Sequence, residues 1–302
     1  LRAMLSAPMF LYHAGDAGTL DDFGLATRLS YFLWRSMPDD ALLAAAHSGQ
    51  LSDPDGLAAQ VERMLDVPTA SRFVKDFAGQ AFRLYDLRAT SPDPGLYPEY
   101  DDLLGQAMEQ ETELFFGELL AKDIGAGALI DADFKFMNRR LAEHYDIAGV
   151  TGQQMRKVML PVDSPRGGLL TQASVHKITS NATSTSPIPR GNFVLANLLG
   201  QPAPPPPAAV NALEPDTRGT TTIREQLDAH RASPVCASCH RVIDPSGFAL
   251  EAFDPIGGFQ TNYRVIGSGW DRGGIPYTEG PPVDASGVTP EGNPFTGFED
   301  YK

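Results

Sequence analysis

Both cysteines of the chain lie in one segment, Cys236-Ala237-Ser238-Cys239-His240. A C-x-x-C-H run is the attachment sequence of a c-type haem, in which both thiols bond to the porphyrin and the histidine becomes an axial iron ligand. The two-residue spacing lets one tight turn of the chain present both sulfurs to the same edge of the ring. The segment therefore predicts one covalently bound haem c, held by Cys236, Cys239 and His240.

Other kinds of site use the same residue types. A structural zinc site needs four protein ligands, usually from two such pairs, and the sequence has no second C-x-x-C and no H-x-x-x-H. A redox dithiol is expected beside a βαβ pattern, which the chain does not show. A disulfide pair and a metal ion shared with a partner protein remain as alternatives to haem.

Charge and hydropathy exclude several classes of protein. The net charge of −14 and the isoelectric point near 4.8 argue against binding to nucleic acid, because few basic groups are available to neutralise phosphates. No apolar stretch approaches the roughly 18 residues that a membrane-spanning helix needs. The sequence thus predicts no nucleic-acid partner and no transmembrane segment in this chain.

The haem prediction also implies a location. Covalent haem c is assembled outside the cytoplasm, so we expect a periplasmic or extracellular protein. Residues 1–13 lack the charged-then-apolar plan of a signal peptide. We therefore expect a leader that was removed or that lies upstream of this piece.

Helical periodicity dominates the first half of the chain, and the 302 residues suffice for two or three domains. The spacing of apolar residues predicts helices near residues 20–34, 39–47, 57–65, 70–84 and 100–121. We therefore predict a mainly α fold that begins with a helical domain over residues 1–150.

In the second half of the chain, helical periodicity gives way to short strand-like, proline-rich and glycine-rich segments. We predict a haem domain over residues 151–265 with a strand near 155–160, and residues 202–207, which are mostly proline, as a stiff polyproline II spacer. Residues 244–247 predict a turn and residues 248–253 a short helix beside the haem. The glycines and prolines of residues 266–302 predict turns and short strands, the start of a truncated C-terminal domain.

Four glutamates lie on the longest predicted helix, at positions 109, 111, 113 and 118. A carboxylate metal site in a helical bundle would pair such groups with a Glu-x-x-His motif on a facing helix. Glu143 and His144, the close pair in the sequence, are neighbours that point apart. We therefore predict a solvated acidic face.

Several motifs taken together resemble the multidomain cytochrome c-like proteins of planctomycetes and myxobacteria, which are built from consecutive domains of unknown function. The motifs lie at residues 29–34, 37–40, 77–80, 131–133, 166–172, 190–191, 198–200, 230–231, 244–245, 247–251 and 283–287. The resemblance covers nearly the whole chain. It implies a cytochrome c-like haem domain and export, and it implies no particular reaction.

The chain departs from this resemblance in two places. Relatives tend to have a proline and an arginine in the loop that is here residues 179–187, and both are missing at those positions. An anion or haem-propionate contact made by that arginine elsewhere therefore does not carry over. The third domain stops early at Lys302, so we expect this chain to be part of a longer protein.

The second axial ligand of the iron decides between electron transfer and catalysis. Neither methionine nor histidine follows His240, so a distal ligand must come from earlier in the chain or from a partner. The candidates are Met159, His176, Met155 and His230. Core packing is the alternative for the two methionines, and a hydrogen bond near the haem edge is the alternative for His230.

Two functions from different classes follow. The first is an exported electron-transfer module that acts with a redox protein partner or a larger membrane-associated complex. The second is a haem oxidase or peroxidase with an open distal site. In a third and weaker interpretation, the helical domain binds a partner and the haem serves mainly to stabilise the structure. The electron carrier is favoured because a single haem attachment segment without other cofactors is the common design of such carriers.

Overall fold

The structure is a computed structural model. It describes residues 2–12, 18–204, 222–231, 234–266 and 277–302. The structure is about 52% helical and has a few small sheets, which confirms the mainly α prediction. No helix in the described ranges is long and apolar enough to cross a membrane. The haem domain itself stays a prediction.

Two compact units make up the chain, Leu1–Phe77 and Ala78–Lys302. The α-helices are α1 (Arg2–Leu5), α2 (Pro8–Leu11), α3 (Asp22–Trp34), α4 (Asp40–His47), α5 (Pro54–Leu65), α6 (Ser71–Ala81), α7 (Asp102–Ala121), α8 (Arg139–His144), α9 (Ala173–Ile178), α10 (Pro187–Phe193), α11 (Ile223–Arg231), α12 (Pro234–Ala249) and α13 (Phe298–Tyr301). Short 3₁₀ segments are Gln50–Ser52, Pro68–Ala70, Leu84–Arg88, Ala126–Leu129 and Leu169–Thr171, and Val194–Leu198 is a π-helical turn. The predicted domain boundaries at residues 150 and 265 stay predictions.

Side-chain caps start the helices of the first unit. Asp21, Asp39 and Asp53 each accept a hydrogen bond from the backbone N–H three residues later, which satisfies a donor that the first helical turn leaves open. The apolar faces of α3, α4 and α5 then share one core. Within it, the indole N–H of Trp34 donates to the carbonyl of Met64 at 2.9 Å. The predicted helices over residues 20–65 are confirmed.

The described part of the second unit contains three small antiparallel sheets. They pair β1 (Phe134–Met137) with β2 (Arg156–Met159), β3 (Asn262–Ile266) with β4 (Tyr277–Pro282), and β5 (Gly287–Val288) with β6 (Pro294–Phe295). The strand predicted near residues 155–160 is therefore present as β2. Its partner β1 was not predicted. The short strands predicted after residue 265 are present in the described part of that segment.

Helices α10 and α12 cross in close contact. A Cβ on Gly191 would lie 2.0 Å from the carbonyl oxygen of Ile243, and one on Gly247 would lie 2.0 Å from that of Pro187. Only glycine therefore fits at either position. The double contact fixes α12, which contains the C-x-x-C-H segment, against the core of its unit.

The course of α12 corrects one prediction. Residues 244–247 were predicted as a turn, yet α12 continues through them, with Pro245 inside the helix. Packing against α10 holds Gly247 in the helix and outweighs the local preference of the Asp-Pro-Ser-Gly sequence for a turn. Of the predicted polyproline spacer, residues 202–204 have no regular secondary structure, and residues 205–207 lie outside the described ranges.

Candidate functional site

The thiols and the imidazole of the motif lie on one helix. Because Cys239 and His240 follow Cys236 by three and four residues within α12, the three side chains lie on the same helical face. Both cysteines are free thiols with partly exposed side chains. His240 is buried, with 7% of its surface exposed. The arrangement leaves the sulfurs accessible and holds the imidazole inside the protein.

A carboxylate on the same helix holds the His240 ring. Nδ1 of His240 lies 2.8 Å from Oδ1 of Asp244, and the second oxygen of Asp244 lies 3.3 Å from the Arg231 guanidinium. Asp244 is 1% exposed. With Nδ1 engaged in this contact, Nε2 is the nitrogen that would bind a metal. Asp244 was predicted only as part of a turn, although its four-residue spacing from His240 is typical of two residues on one helical face.

A pocket of about 470 Å³ adjoins His240. Phe248 and Val288 contribute apolar surface to it, and its arginines contribute positive charge. The guanidinium of Arg224 lies 3.9 Å from the centre of the Phe248 ring, which places cation and aromatic face together. The lining residues are Arg224, Arg231, Ala237, His240, Arg241, Asp244, Pro245, Phe248, Gly287 and Val288.

These residues have the chemistry that a covalent haem requires. The two free thiols have the spacing needed to bond to the vinyl groups, and the oriented imidazole could bind the iron. The apolar surface beside the imidazole would contact the porphyrin plane. The pocket arginines would supply counter-charge for the propionates. In the described ranges, no group of three or more His, Cys, Asp or Glu side chains is placed to hold a metal ion on its own.

His176, a candidate distal ligand, lies in the core of the second unit. Its side chain is fully buried and stacks on Phe253 with ring centres 4.7 Å apart. Neither ring nitrogen makes a hydrogen bond of normal geometry, although the Leu170 carbonyl lies nearby. Burial, reinforced by the positive charge of Arg190, holds its pKa well below the usual value, so the ring is neutral.

The methionine candidates lie elsewhere in the same unit. Met159 ends β2 and is 58% exposed, and it lines a surface groove of about 1060 Å³ with Lys157 and Val162. Met155 packs at the edge of a core cluster. None of the described candidates, Met155, Met159 and His176, lines the pocket beside His240. His230 is in α11, but its side chain lies outside the described residues, and the distal ligand stays a prediction.

The predicted acidic face of α7 is wrong at Glu111. This side chain is fully buried and lies 3.4 Å from the equally buried Lys135 ammonium, which β1 contributes. Tyr145 donates to Glu111 at 2.6 Å. Burial raises the pKa of Glu111 and lowers that of Lys135 to about 8. The partner is 24 positions away, so no local sequence pattern indicates the pair.

A second buried ion pair lies just beyond α12. The guanidinium of Arg190, on α10, is 3.5 Å from Glu251, and both side chains are fully buried. Thr185 and Tyr263 donate to Oε2 of Glu251 at 2.6 and 2.8 Å. Arg190 also donates to the Leu250 carbonyl at 2.7 Å. The motif residues 190–191 and 247–251 of the sequence analysis therefore meet around one buried pair.

Comparison with known families divides the chain in two. Residues 20–147 match the family described as PSD4, protein of unknown function (DUF1592), and residues 166–263 match the one described as PSCyt3, protein of unknown function (DUF1588). This pairing is typical of cytochrome c-like multidomain proteins from planctomycetes and similar bacteria. The second match includes Cys236, Cys239 and His240. There was no significant match among curated proteins and none among solved structures.

Proposed function

We propose that this chain is an exported c-type cytochrome module that carries one covalently bound haem and passes single electrons to or within a larger redox assembly. The observation that carries the proposal is the placement of Cys236, Cys239 and His240 on one face of α12, with both thiols free and partly exposed. The consecutive domain pairing supports it, because this pairing is typical of cytochrome c-like proteins.

Each group of the site has a defined task in this proposal. Cys236 and Cys239 would hold the haem through thioether bonds, and His240 would hold the iron through Nε2. Asp244 fixes the ring through Nδ1. When bound, the haem supplies an iron that alternates between Fe(III) and Fe(II) by one electron. Phe248 excludes water from one side of the pocket, and the arginines balance the propionate charge.

The acidic composition indicates what kind of partner the protein binds, and the site of haem assembly indicates where the protein is located. A net charge of −14 favours docking to a basic redox protein, or to a basic surface of a membrane-associated complex, and this attraction weakens as salt is added. Since covalent haem c is attached outside the cytoplasm, the proposal places the protein in the periplasm or outside the cell.

The proposal is tested by producing the chain with an export leader in a bacterium that attaches c-type haem. We expect a purified protein with sharp reduced α and β absorption bands that stay unchanged under carbon monoxide, which indicates two axial ligands. The matched control is the double variant Cys236→Ser/Cys239→Ser, which should lose the haem on denaturation. Wild-type protein without haem absorption would overturn the proposal.

A haem oxidase or peroxidase is the second candidate. The observation that favours it is the carboxylate partner of His240, because a hydrogen-bonded carboxylate raises the basicity of an imidazole ligand and so increases electron density on iron. This candidate predicts a high-spin spectrum that shifts under carbon monoxide, together with peroxide-dependent oxidation of a dye. Bands insensitive to carbon monoxide would eliminate it.

A further inference from the structure

We propose that Asp244 is a positioning residue that orients His240 and lowers the reduction potential of the iron bound there, and that Arg231 limits this effect. The inference rests on the proposed function, because it concerns the iron that His240 would hold. It goes further by assigning a role to two residues outside the C-x-x-C-H segment.

The geometry forms a chain of three charged or polar groups. Nδ1 of His240 contacts Oδ1 of Asp244 at 2.8 Å, and Oδ2 of the same carboxylate lies 3.3 Å from Nη1 of Arg231. Asp244 is 1% exposed and His240 is 7% exposed, so water screens their contact little. Arg231 also binds Asp228, which is 60% exposed.

The carboxylate is held in place by the backbone beneath it. Asp244 lies between Ile243, whose carbonyl meets Gly191, and Gly247, which meets the carbonyl of Pro187. These two contacts hold the backbone of α12 closely against that of α10. The hydrogen bond to His240 is therefore set by the fold before any ligand binds, which is the requirement for a supporting residue to orient a ligand.

The sign of the effect follows from charge. A carboxylate that accepts the Nδ1 proton makes the imidazole a stronger electron donor, which stabilises Fe(III) relative to Fe(II) and lowers the reduction potential. Arg231 draws negative charge away from Asp244 and so works in the opposite direction. Removal of Asp244 charge should raise the potential, and removal of Arg231 charge should lower it.

The test is redox titration of the haem-loaded protein and of Asp244→Asn, with Asp228→Asn as the matched control. For Asp244→Asn we expect a shift of at least tenfold in the equilibrium between Fe(III) and Fe(II) toward Fe(II), about 59 mV for one electron. The control removes a charge that contacts the same arginine but is exposed, so its shift should stay under about twofold. Equal shifts in both variants would overturn the inference.

Two further measurements separate orientation from simple charge. In the reduced protein, the NMR signal of the His240 Nδ1 proton should move in Asp244→Asn and stay in place in Asp228→Asn. Arg231→Gln, at a residue that is less buried, should lower the potential, and a raised potential there would contradict the proposal. Absence of haem in wild-type protein would refute the proposed function itself, whereas haem present with unchanged potentials refutes only this inference.

Discussion

Helix α12 lies between two different environments. At its start, Cys236 and Cys239 are partly exposed free thiols. Just after its end, Glu251 is fully buried and is bound by Arg190, Thr185 and Tyr263. Both regions are rich in polar groups, but the groups at the buried end bind one another, whereas the two thiols remain accessible to a modifying reaction.

The difference in burial indicates that Glu251 and its partners stabilise the fold, whereas Cys236 and Cys239 are available to react. A buried ion pair contributes little net stability, yet it is costly to break, because the remaining charge has no water around it. The buried end of α12 should therefore be sensitive to substitution in the apoprotein. Cys236 and Cys239, which are partly exposed, should tolerate substitution in the apoprotein and show an effect only once a ligand is attached.

The largest effect should follow from breaking the buried pair. We expect Arg190→Met to lower the free energy of unfolding by about 3 to 5 kcal/mol, because Glu251 is then buried without its counter-charge. Arg241→Met, at an exposed arginine on α12, is the control and should change it by less than about 0.5 kcal/mol. Urea unfolding of both apoproteins measures the difference. Equal losses of stability would mean that the buried pair is no more sensitive to substitution than an exposed arginine.

Acid should also lower the stability of the second unit, through His144 on α8. Nε2 of His144 contacts the carbonyl of Ile256 at 2.7 Å, and burial lowers the His144 pKa to about 3. Between pH 6.5 and 3 the unfolded chain binds a proton that the folded chain does not, so stability falls as pH falls. Between pH 7 and pH 4, the loss attributable to His144 is on the order of 3 kcal/mol.

The variant His144→Gln tests this linkage, because its amide can still donate to the Ile256 carbonyl but does not titrate. Urea unfolding at pH 7 and pH 4 should show a smaller loss of stability in the variant than in the wild type. An identical pH dependence in the two proteins would mean that His144 is not the group responsible.

The close packing of α12 on α10 should make a glycine-to-alanine substitution destabilising, by less than the two changes above. Glycine to alanine within a helix normally stabilises, but at Gly247 the new methyl would meet the Pro187 carbonyl. We expect Gly247→Ala to destabilise by about 1 to 3 kcal/mol. Gly125→Ala, where a Cβ meets nothing within 4 Å, is the control in thermal unfolding. A stabilised Gly247→Ala would show that the helices do not cross this closely.

The helices over residues 20–65 were predictable because their signals are local. Asp21, Asp39 and Asp53 are N-caps that precede amphipathic segments, and the structure uses each of them. The interior of the second unit was not predictable in this way. Glu111 is neutralised by Lys135 from a strand whose position no pattern on α7 indicates.

The candidate site shows the same division. The spacing of Cys236, Cys239 and His240 identified a possible haem attachment segment from five consecutive residues. The partner of His240 was missed, because Asp-Pro-Ser-Gly is a typical turn sequence and the packing of Gly247 on α10 keeps it helical. Tertiary contacts therefore decide whether Asp244 reaches the imidazole, and a sequence pattern alone does not.

Intact mass measurement of the exported, purified and denatured chain would show most directly whether haem is bonded to Cys236 and Cys239. We expect a mass increase equal to one haem, retained under denaturing conditions and absent from Cys236→Ser/Cys239→Ser. Wild-type protein with the mass of the bare polypeptide, after production in cells that attach haem to a known c-type cytochrome, would contradict it.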